Sequence, residues 1–324
     1  MKIVLPGGSG LLGHLLARAF ALDGHEIVIL SRRSASSPWR IVEWDGASLG
    51  AWTREIEGAD LVINLAGRSV NCRYTPQNRD EIMTSRIAST SVLGQAIAAA
   101  TRPPAVWLQS STATIYAHRY DASNDETTGI VGGPEPDAPS AWRFSIDVAT
   151  AWERVFDEAK TPRTRRVALR TAIVMSPARG GAFDVLLGLV RRGLGGTNGD
   201  GRQFVSWIHE DDFVQAVQWI AAQENVSGVV NLASPNPLPN ADFMRAIREA
   251  WGTRLGLPSP ASLLEIGAFF LRTETELVLK SRRVVPRRLL EADFVFNWPN
   301  WPVAARDLVS RWRLQSTADS ISAP

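Results

Sequence analysis

The chain opens on an apolar run, Lys2-Ile3-Val4-Leu5-Pro6, that passes directly into Gly7-Gly8-Ser9-Gly10-Leu11-Leu12-Gly13. An unbroken apolar run of this length reads as a strand buried on both faces. Leu11, Leu12, Leu15, Leu16, Ala19 and Phe20 then recur at helical spacing, and Glu26-Ile27-Val28-Ile29-Leu30 is a second apolar run that ends in Ser31-Arg32-Arg33. The same alternation continues. A third strand is expected over residues 40–45 and a fourth over 60–67, where the run closes on the small residues Ala66 and Gly67. A long helix is expected over roughly 77–100, a fifth strand over 105–109 opening into Ser110-Ser111-Thr112, a Gly-, Pro- and acid-rich surface loop over 127–140, a helix over 144–158 and a sixth strand over 166–174. Strands alternating with helices imply an α/β chain with a doubly wound parallel sheet of the Rossmann kind.

After residue 174 the texture changes. A glycine-rich loop spans 193–201, Phe204-Val205-Ser206-Trp207-Ile208-His209 reads as a short strand, 211–223 as a helix and Val229-Val230-Asn231-Leu232-Ala233 as a last sheet strand. Residues 234–239 read as a turn, and Asn240 is placed to cap the following helix. Residues 240–312 read as mainly helical, broken by Pro258, Pro260 and Pro286, and the polar end from 315 on reads as frayed. The expected organisation is a Rossmann domain over 1–178, completed by a strand near 228–233, then a smaller, mainly helical, substrate-side C-terminal region over 179–312, then a frayed tail over 313–324.

Composition narrows the classes. The chain has 324 residues, 45% hydrophobic and 21% charged, and its net charge is only +2, which gives no bulk electrostatic case for nucleic acid or an anionic membrane. Cys72 is the only cysteine, so neither an intramolecular disulfide nor a cysteine metal site is available, as suits a reducing compartment. The four histidines, His14, His25, His118 and His209, are scattered without ligand spacing, so no metal is expected. No run reaches the roughly 18 apolar residues of a membrane span, and the chain starts directly in a strand without a signal segment. The greasiest late stretch, 262–271, carries Glu265 and reads as a packed helix. A cytoplasmic protein, monomer or homodimer, is expected.

The glycine turn carries the first chemistry. Gly7 permits the tight exit from the strand, Gly10 lets a phosphate approach the backbone, and Gly13 allows close packing of helix on sheet. The spacing is GxxGxxG rather than GxGxxG, yet it lies between a strand and an amphipathic helix, where a dinucleotide pyrophosphate rests on the helix N-terminus. NAD-binding versions place a carboxylate after the second strand to hold the ribose 2′-hydroxyl. Ser31, Arg32 and Arg33 stand there instead. A guanidinium binds a 2′-phosphate in bidentate fashion, so NADP(H) is the preferred cofactor; the alternative is a solvated basic turn.

These features resemble the extended short-chain dehydrogenases/reductases, the group that contains nucleotide-sugar epimerases and dehydratases. The resemblance is carried by Gly7, Gly10 and Gly13, by Asn64-Leu65-Ala66-Gly67, by Ser110-Ser111-Thr112 with Tyr116, by Leu169-Arg170-Thr171-Ala172-Ile173-Val174, and by Trp207-Ile208-His209-Glu210-Asp211-Asp212. Ser85-Arg86-Ile87, Gly195-Gly196 with Gln203, and 281–289 with 293–296 resemble an atypical branch, the epimerase family proteins, also called NAD-dependent epimerase/dehydratase family proteins, which carry a C-terminal domain of unknown function. The resemblance spans about residues 1–312 and implies a fold and a cofactor more than a reaction. With it the cofactor set reads Gly7, Ser9, Gly10, Leu11, Leu12, Gly13, Ser31, Arg32, Arg33, Asp45, Leu65, Ala66, Gly67 and Arg86, and the substrate side Asn64, Arg73, Thr112, Gln203 and Trp207.

The parent group's hydride chemistry uses a Ser or Thr, a Tyr and a Lys four residues after the Tyr, which lowers the phenol pKa from its usual value of about 10. The tyrosines here are Tyr74, Tyr116 and Tyr120, none followed by that lysine; alignment puts Phe144 and Val148 at the two positions. Ser111 keeps its place. Tyr116 is a substitute acid or a loop tyrosine bonded to backbone. His209 is a candidate acid/base or a packing histidine at a helix entry. Arg170, inside an apolar strand, pairs with an acid or faces the site, and Arg73 binds an anionic substrate or is solvated. Two readings follow: an NADP(H)-dependent oxidoreductase or epimerase-like enzyme with catalytic Ser111, Tyr116 and His209 acting on a small molecule, or an NADP(H)-binding sensor with little turnover. The sequence also suggests a two-walled cleft, Ser111, Tyr116 and Asn64 opposite Gln203, Trp207 and His209, with the 195–201 loop closing over a ligand.

Overall fold

The computed structural model describes residues 1–33, 36–133, 135, 139, 142–258 and 276–322, the side chains of 277, 278 and 318–322 excepted. The helix expected over 262–271 lies outside the described residues. The chain forms two compact units: Met1–Ile115, Pro139–Thr171 and Val214–Val230 make the first, and Tyr116–Ala138, Ala172–Phe213 and Asn231–Pro324 the second. The division is interleaved; the sequence suggested a Rossmann domain over 1–178 completed by a strand near 228–233.

The first unit is built on a seven-stranded parallel sheet. In chain order its elements are β1 (Lys2–Pro6), α1 (Leu11–Leu22), β2 (Glu26–Ser31), β3 (Arg40–Glu43), a 3-10 turn at Ala51–Glu55, β4 (Leu61–Asn64), α2 (Pro76–Ala99), β5 (Val106–Thr112), α3 (Arg143–Glu158) and β6 (Arg165–Thr171). The apolar runs form these strands because both faces are covered: Ile3, Val4, Leu5, Val62, Ile63, Trp107 and Leu108 are all buried. Trp107 packs edge-on against Phe156 of α3 (4.7 Å), and Trp44 against Trp52 (5.2 Å). The expected sixth strand is cut short. Residues 173–175 leave the sheet as β7 (Ile173–Met175), and Ala172 instead donates its N–H to the carbonyl of Leu232 (2.9 Å).

The remaining elements are α4 (Ala182–Arg191), β8 (Phe204–Val205), β9 (Trp207–His209), α5 (Glu210–Ala222), β10 (Gly228–Leu232), β11 (Leu238–Pro239), α6 (Asn240–Trp251), two short helices α7 (Glu276–Leu279) and α8 (Arg287–Glu291), and α9 (Trp301–Ser322). The sheet order is β10-β6-β5-β4-β1-β2-β3, so the order reverses beside β1, at the point where ligands enter such sheets.

In the second unit β7 pairs with β9 in parallel and β8 with β11 antiparallel, so the expected strand 204–209 is two strands that part at Ser206. Its core joins α4, α6 and α9 through aromatic packing: Phe243 stacks on Trp301 (4.1 Å, 6°), and Trp207 lies against the same indole (4.7 Å). Two local expectations are corrected here. Asn240 does not cap α6; its Oδ1 accepts the N–H of Asn198 (2.8 Å) instead. The frayed tail is helical as far as Ser322, because α9 buries Leu308, Val309 and Trp312 on one face and so carries the polar turns that follow.

Candidate functional site

The glycine turn has the geometry that phosphate binding requires. Gly7 has φ 73°, and a Cβ there would stand 2.6 Å from the Cα of Ala66, at the end of β4. A Cβ on Gly13 would collide with the backbone of Gly8. Among the described residues nothing lies within 4 Å of the position a Cβ on Gly10 would take. Gly10 is also the N-cap of α1, with no side-chain cap and no acid in the first turn. The helix start is therefore open, positively polarised and free of a competing carboxylate, which suits a pyrophosphate.

The other cofactor candidates gather on the same side of the sheet. Ser31, at the end of β2, donates to Ser9 Oγ (3.4 Å), and Arg32 and Arg33 follow it, both exposed. Leu11 and Leu12 are half-buried at the start of α1. Leu65 and Ala66 continue β4, the former donating its N–H to the carbonyl of Pro6 (2.8 Å). Asp45 caps its own turn, accepting from the N–H groups of Ala47 (2.8 Å) and Ser48 (2.9 Å) and from the Ser48 hydroxyl; that hydroxyl first, then the amides, lowers the Asp45 carboxyl to about 2.

Arg86, on α2, is the unusual cation. Its Nη1 donates to the carbonyls of Arg68 and Ile82 (3.0 Å each), its guanidinium lies over Trp152 (5.1 Å), and a Cβ on Gly67 would come within 3.1 Å of its Cζ. Among the described residues no carboxylate pairs with it. Burial lowers its pKa to about 10, and the nearby Tyr74 works in the opposite sense.

The reaction side is different. Ser111, at the end of β5, donates to Glu153 Oε1 (2.5 Å), and Glu153 takes both Nε (2.8 Å) and Nη2 (2.7 Å) of Arg170. Of the two options for Arg170, it is the acid pair that forms. Thr112 Oγ1 accepts the N–H of Thr114 (3.1 Å). Asn64 is fully buried, donating to Gln109 (3.0 Å) and accepting from the N–H of Ala66 (3.1 Å), so its amide is occupied in holding the end of β4. Arg73 is half-buried, and its carbonyl accepts from Asn78 (2.6 Å). Phe144 and Val148 lie on α3; the ring of Phe144 meets the edge of Tyr74 (5.0 Å), whose hydroxyl is 3.5 Å from Ser145 Oγ.

The remaining candidates lie inside the second unit. Tyr116 is buried and donates to Asn231 Oδ1 (2.9 Å). Trp207 is enclosed in the aromatic core, its indole N–H without a partner among the described residues. Gln203 is buried and donates to the carbonyl of Asn198 (2.8 Å). His209 has no exposed surface; its Nδ1 accepts the N–H of Asp211 (3.1 Å), which leaves Nε2 to donate to Asp307 (3.1 Å). Burial pushes its pKa below the ordinary histidine value. Arg311 ties Asp307 (2.7 Å) to Asp211 (2.6 Å). Gln203, Trp207 and His209, expected on a substrate wall, thus spend their polar and apolar surface within the second unit. The glycine loop is pinned as well: Gly196 donates to Leu257 (3.1 Å), Leu257 to Gly193 (2.8 Å), and Arg248 to Gly195 (2.6 Å).

Sequence reasoning did not single out Glu153, Asp307 or Tyr74. The signal for Glu153 was the demand of a buried Arg170 for an acid; nothing in the local sequence pointed to the other two. Among the described residues no group of three or more His, Cys, Asp or Glu side chains is placed to hold a metal, and no helix is long and apolar enough to cross a membrane.

A parallel sheet of this order, with a glycine turn at its point of reversal and a serine closing β5, defines a member of the short-chain dehydrogenase/reductase superfamily. Residues 3–233 match the NAD dependent epimerase/dehydratase family and residues 259–308 the domain of unknown function DUF1731. The chain belongs to the NAD-dependent epimerase/dehydratase family, as an epimerase family protein with a C-terminal DUF1731 segment. It is 30% identical to the epimerase family protein SDR39U1 of Bos taurus over 317 residues, 96% of this chain and 100% of that one. It is 32% identical to the epimerase family protein Mb2239 of Mycobacterium bovis, covering 91% of this chain and 93% of the relative. Its fold is similar to a crystal structure of human epimerase family protein SDR39U1 (isoform 2) with NADPH, at TM-score 0.83 and 27% identity, covering 96% and 99% of the two chains.

Proposed function

We propose that this protein is an NADP(H)-dependent oxidoreductase or epimerase-like enzyme that acts on a small molecule without a Tyr-x-x-x-Lys pair. The observation that carries the reading is the end of β2: Ser31 bonded to Ser9 beside the open start of α1, followed by exposed Arg32 and Arg33 where a carboxylate would select NAD. The relative crystallised with NADPH supports the same choice. The residues that would hold the dinucleotide are the 7–13 turn for the pyrophosphate, Arg32 and Arg33 for the 2′-phosphate, and 65–67 with Arg86 near the nicotinamide half. Bound there, the dinucleotide supplies the two electrons of a carbonyl–alcohol interconversion.

NADPH is expected to bind at least tenfold more tightly than NADH, about 1.4 kcal/mol, and Arg32→Asp to reverse the order. Fluorescence titration of both cofactors decides this; equal affinities in the natural chain defeat the reading. Phe144 and Val148 favour a second reading, an NADP(H)-binding sensor with little turnover. Incubation with NADPH and a metabolite extract, followed at 340 nm, separates the two: oxidation only with extract marks an enzyme, bound but inert NADPH a sensor. The protein is expected to work as a monomer or homodimer, without nucleic acid or a membrane as partner.

A further inference from the structure

We propose that Tyr74 is the proton-transfer residue of this site, and that Arg86 is the cation that positions and tunes it in place of the missing lysine. This rests on the oxidoreductase reading above. Four observations, all within the first unit, converge on it.

The first is location. Tyr74 sits on the connection from β4 to α2, at the carboxyl end of the sheet, where ligands of such sheets bind. The second is its neighbour. Phe144 occupies the position expected for the family's tyrosine, and the ring of Tyr74 lies against it at 5.0 Å and 69°. The Tyr74 hydroxyl is 3.5 Å from Ser145 Oγ, on the residue next to Phe144. A phenol oxygen therefore reaches the first turn of α3, but from a different element.

The third is how the ring is held. Asn78 donates to the carbonyl of Arg73 (2.6 Å), Arg79 donates to the carbonyl of Tyr74 (2.9 Å), and the Arg79 guanidinium covers the Phe144 ring at 5.0 Å. The fourth is charge. Arg86 is enclosed, has no carboxylate partner among the described residues, and is within electrostatic reach of the Tyr74 phenol. An enclosed cation that has no carboxylate partner among the described residues, and whose charge reaches a phenol, favours the phenolate, as the family's lysine does. Arg79 is turned to the Phe144 ring, and Asp147 of α3 pairs with Arg143 (3.7 Å).

In carbonyl reduction the Tyr74 O–H bond breaks and its proton goes to the substrate oxygen. The electron pair left on the phenol oxygen is stabilised by Arg86. The two electrons that reduce the carbon come from the reduced nicotinamide nucleotide, and water returns a proton to Tyr74. Oxidation of an alcohol runs the same steps backwards.

Spectrophotometric titration of the phenols near 295 nm, on the full chain without cofactor, tests this with no substrate required. Only three tyrosines contribute. The natural chain is expected to show one phenol ionising at least one pH unit below the ordinary value of about 10. That step should vanish in Tyr74→Phe, which keeps the ring and its packing. In Arg86→Gln it should move up by at least one pH unit, and Arg86→Lys should restore most of the shift. If Arg86→Gln does not fold, the comparison of Tyr74→Phe with the natural chain decides alone. NADPH affinity, measured on the same samples, should be unchanged within about twofold in Tyr74→Phe. Absence of NADPH binding in the natural chain would remove the oxidoreductase reading while leaving the phenol step to be read independently. A phenol titration that is identical in the natural chain and Tyr74→Phe below pH 10 overturns the proposal.

Discussion

The β1–α1 turn and the start of α3 lie in the same unit and meet opposite fates. At the turn, the demands fall on the backbone: a positive φ at Gly7, an open position at Gly10, a close approach at Gly13. At Gly7 and Gly13 no residue with a Cβ fits, so these glycines stand in sequence where the geometry needs them. At α3, the proposed chemistry would need a side chain that delivers a proton to a point in space. Any element able to reach that point can supply it, and Phe144 shows that α3 itself does not. A backbone device is tied to its position; a side-chain device can change address.

The largest expected effect tests whether the region below the reaction end is structural. Glu153→Leu leaves Arg170 enclosed without its acid, and loss of one partner of a buried pair costs about 3–5 kcal/mol. Both side chains are close to nine-tenths covered, so solvent relieves little of this. Chemical denaturation reads the loss; a change below about 1 kcal/mol would make the pair dispensable. The next effect separates the glycines. Gly13→Ala should weaken NADPH by about 100-fold, near 2.7 kcal/mol, and also lower the melting temperature. Gly10→Ala should weaken NADPH while leaving the melting temperature unchanged, because the space beside it is open until a phosphate fills it. Equal behaviour of the two variants would remove the distinction between fold and ligand roles at the turn.

The smallest effect concerns the second unit. His209 is held neutral by burial, so the unfolded chain takes up its proton first as pH falls through about 6.5. Stability contributed by neutral His209 is present above that value and declines below it, by at most about 1.4 kcal/mol per pH unit. Melting curves from pH 7.5 to 5.5 should show a steeper fall in the natural chain than in His209→Gln. Parallel slopes would mean that the histidine titrates as it does in water.

The sheet was legible because apolar runs of four to seven residues, separated by glycines and amphipathic stretches, admit few alternatives. The glycine turn was legible because its backbone demands are met by glycine alone at Gly7 and Gly13. The breaks at Ala172 and Ser206 were not, since a strand that changes partners keeps the same apolar texture on both sides of the change. Trp207 and His209 looked like site residues because they are chemically capable and fall after a glycine loop. Period-2 patterning does not say which face of a three-residue ladder is enclosed, and here Trp301, Trp298 and Asp307, about a hundred residues on, enclose them. Tyr74, the proposed proton-transfer residue, carried no local signal for the same reason: its neighbour Ser145 lies 71 residues away.

The interleaved course of the chain has a consequence for its birth on the ribosome. The strand that covers β6 is β10, and about 56 residues separate Thr171 from Gly228. At ~5–20 residues per second, the nascent sheet waits roughly 3–11 s with β6 as an open parallel edge. Such an edge is a template for foreign strands. A chain interrupted between 172 and 227 is therefore a sheet offered to its neighbours, and translation speed over that stretch sets how long the offer stands.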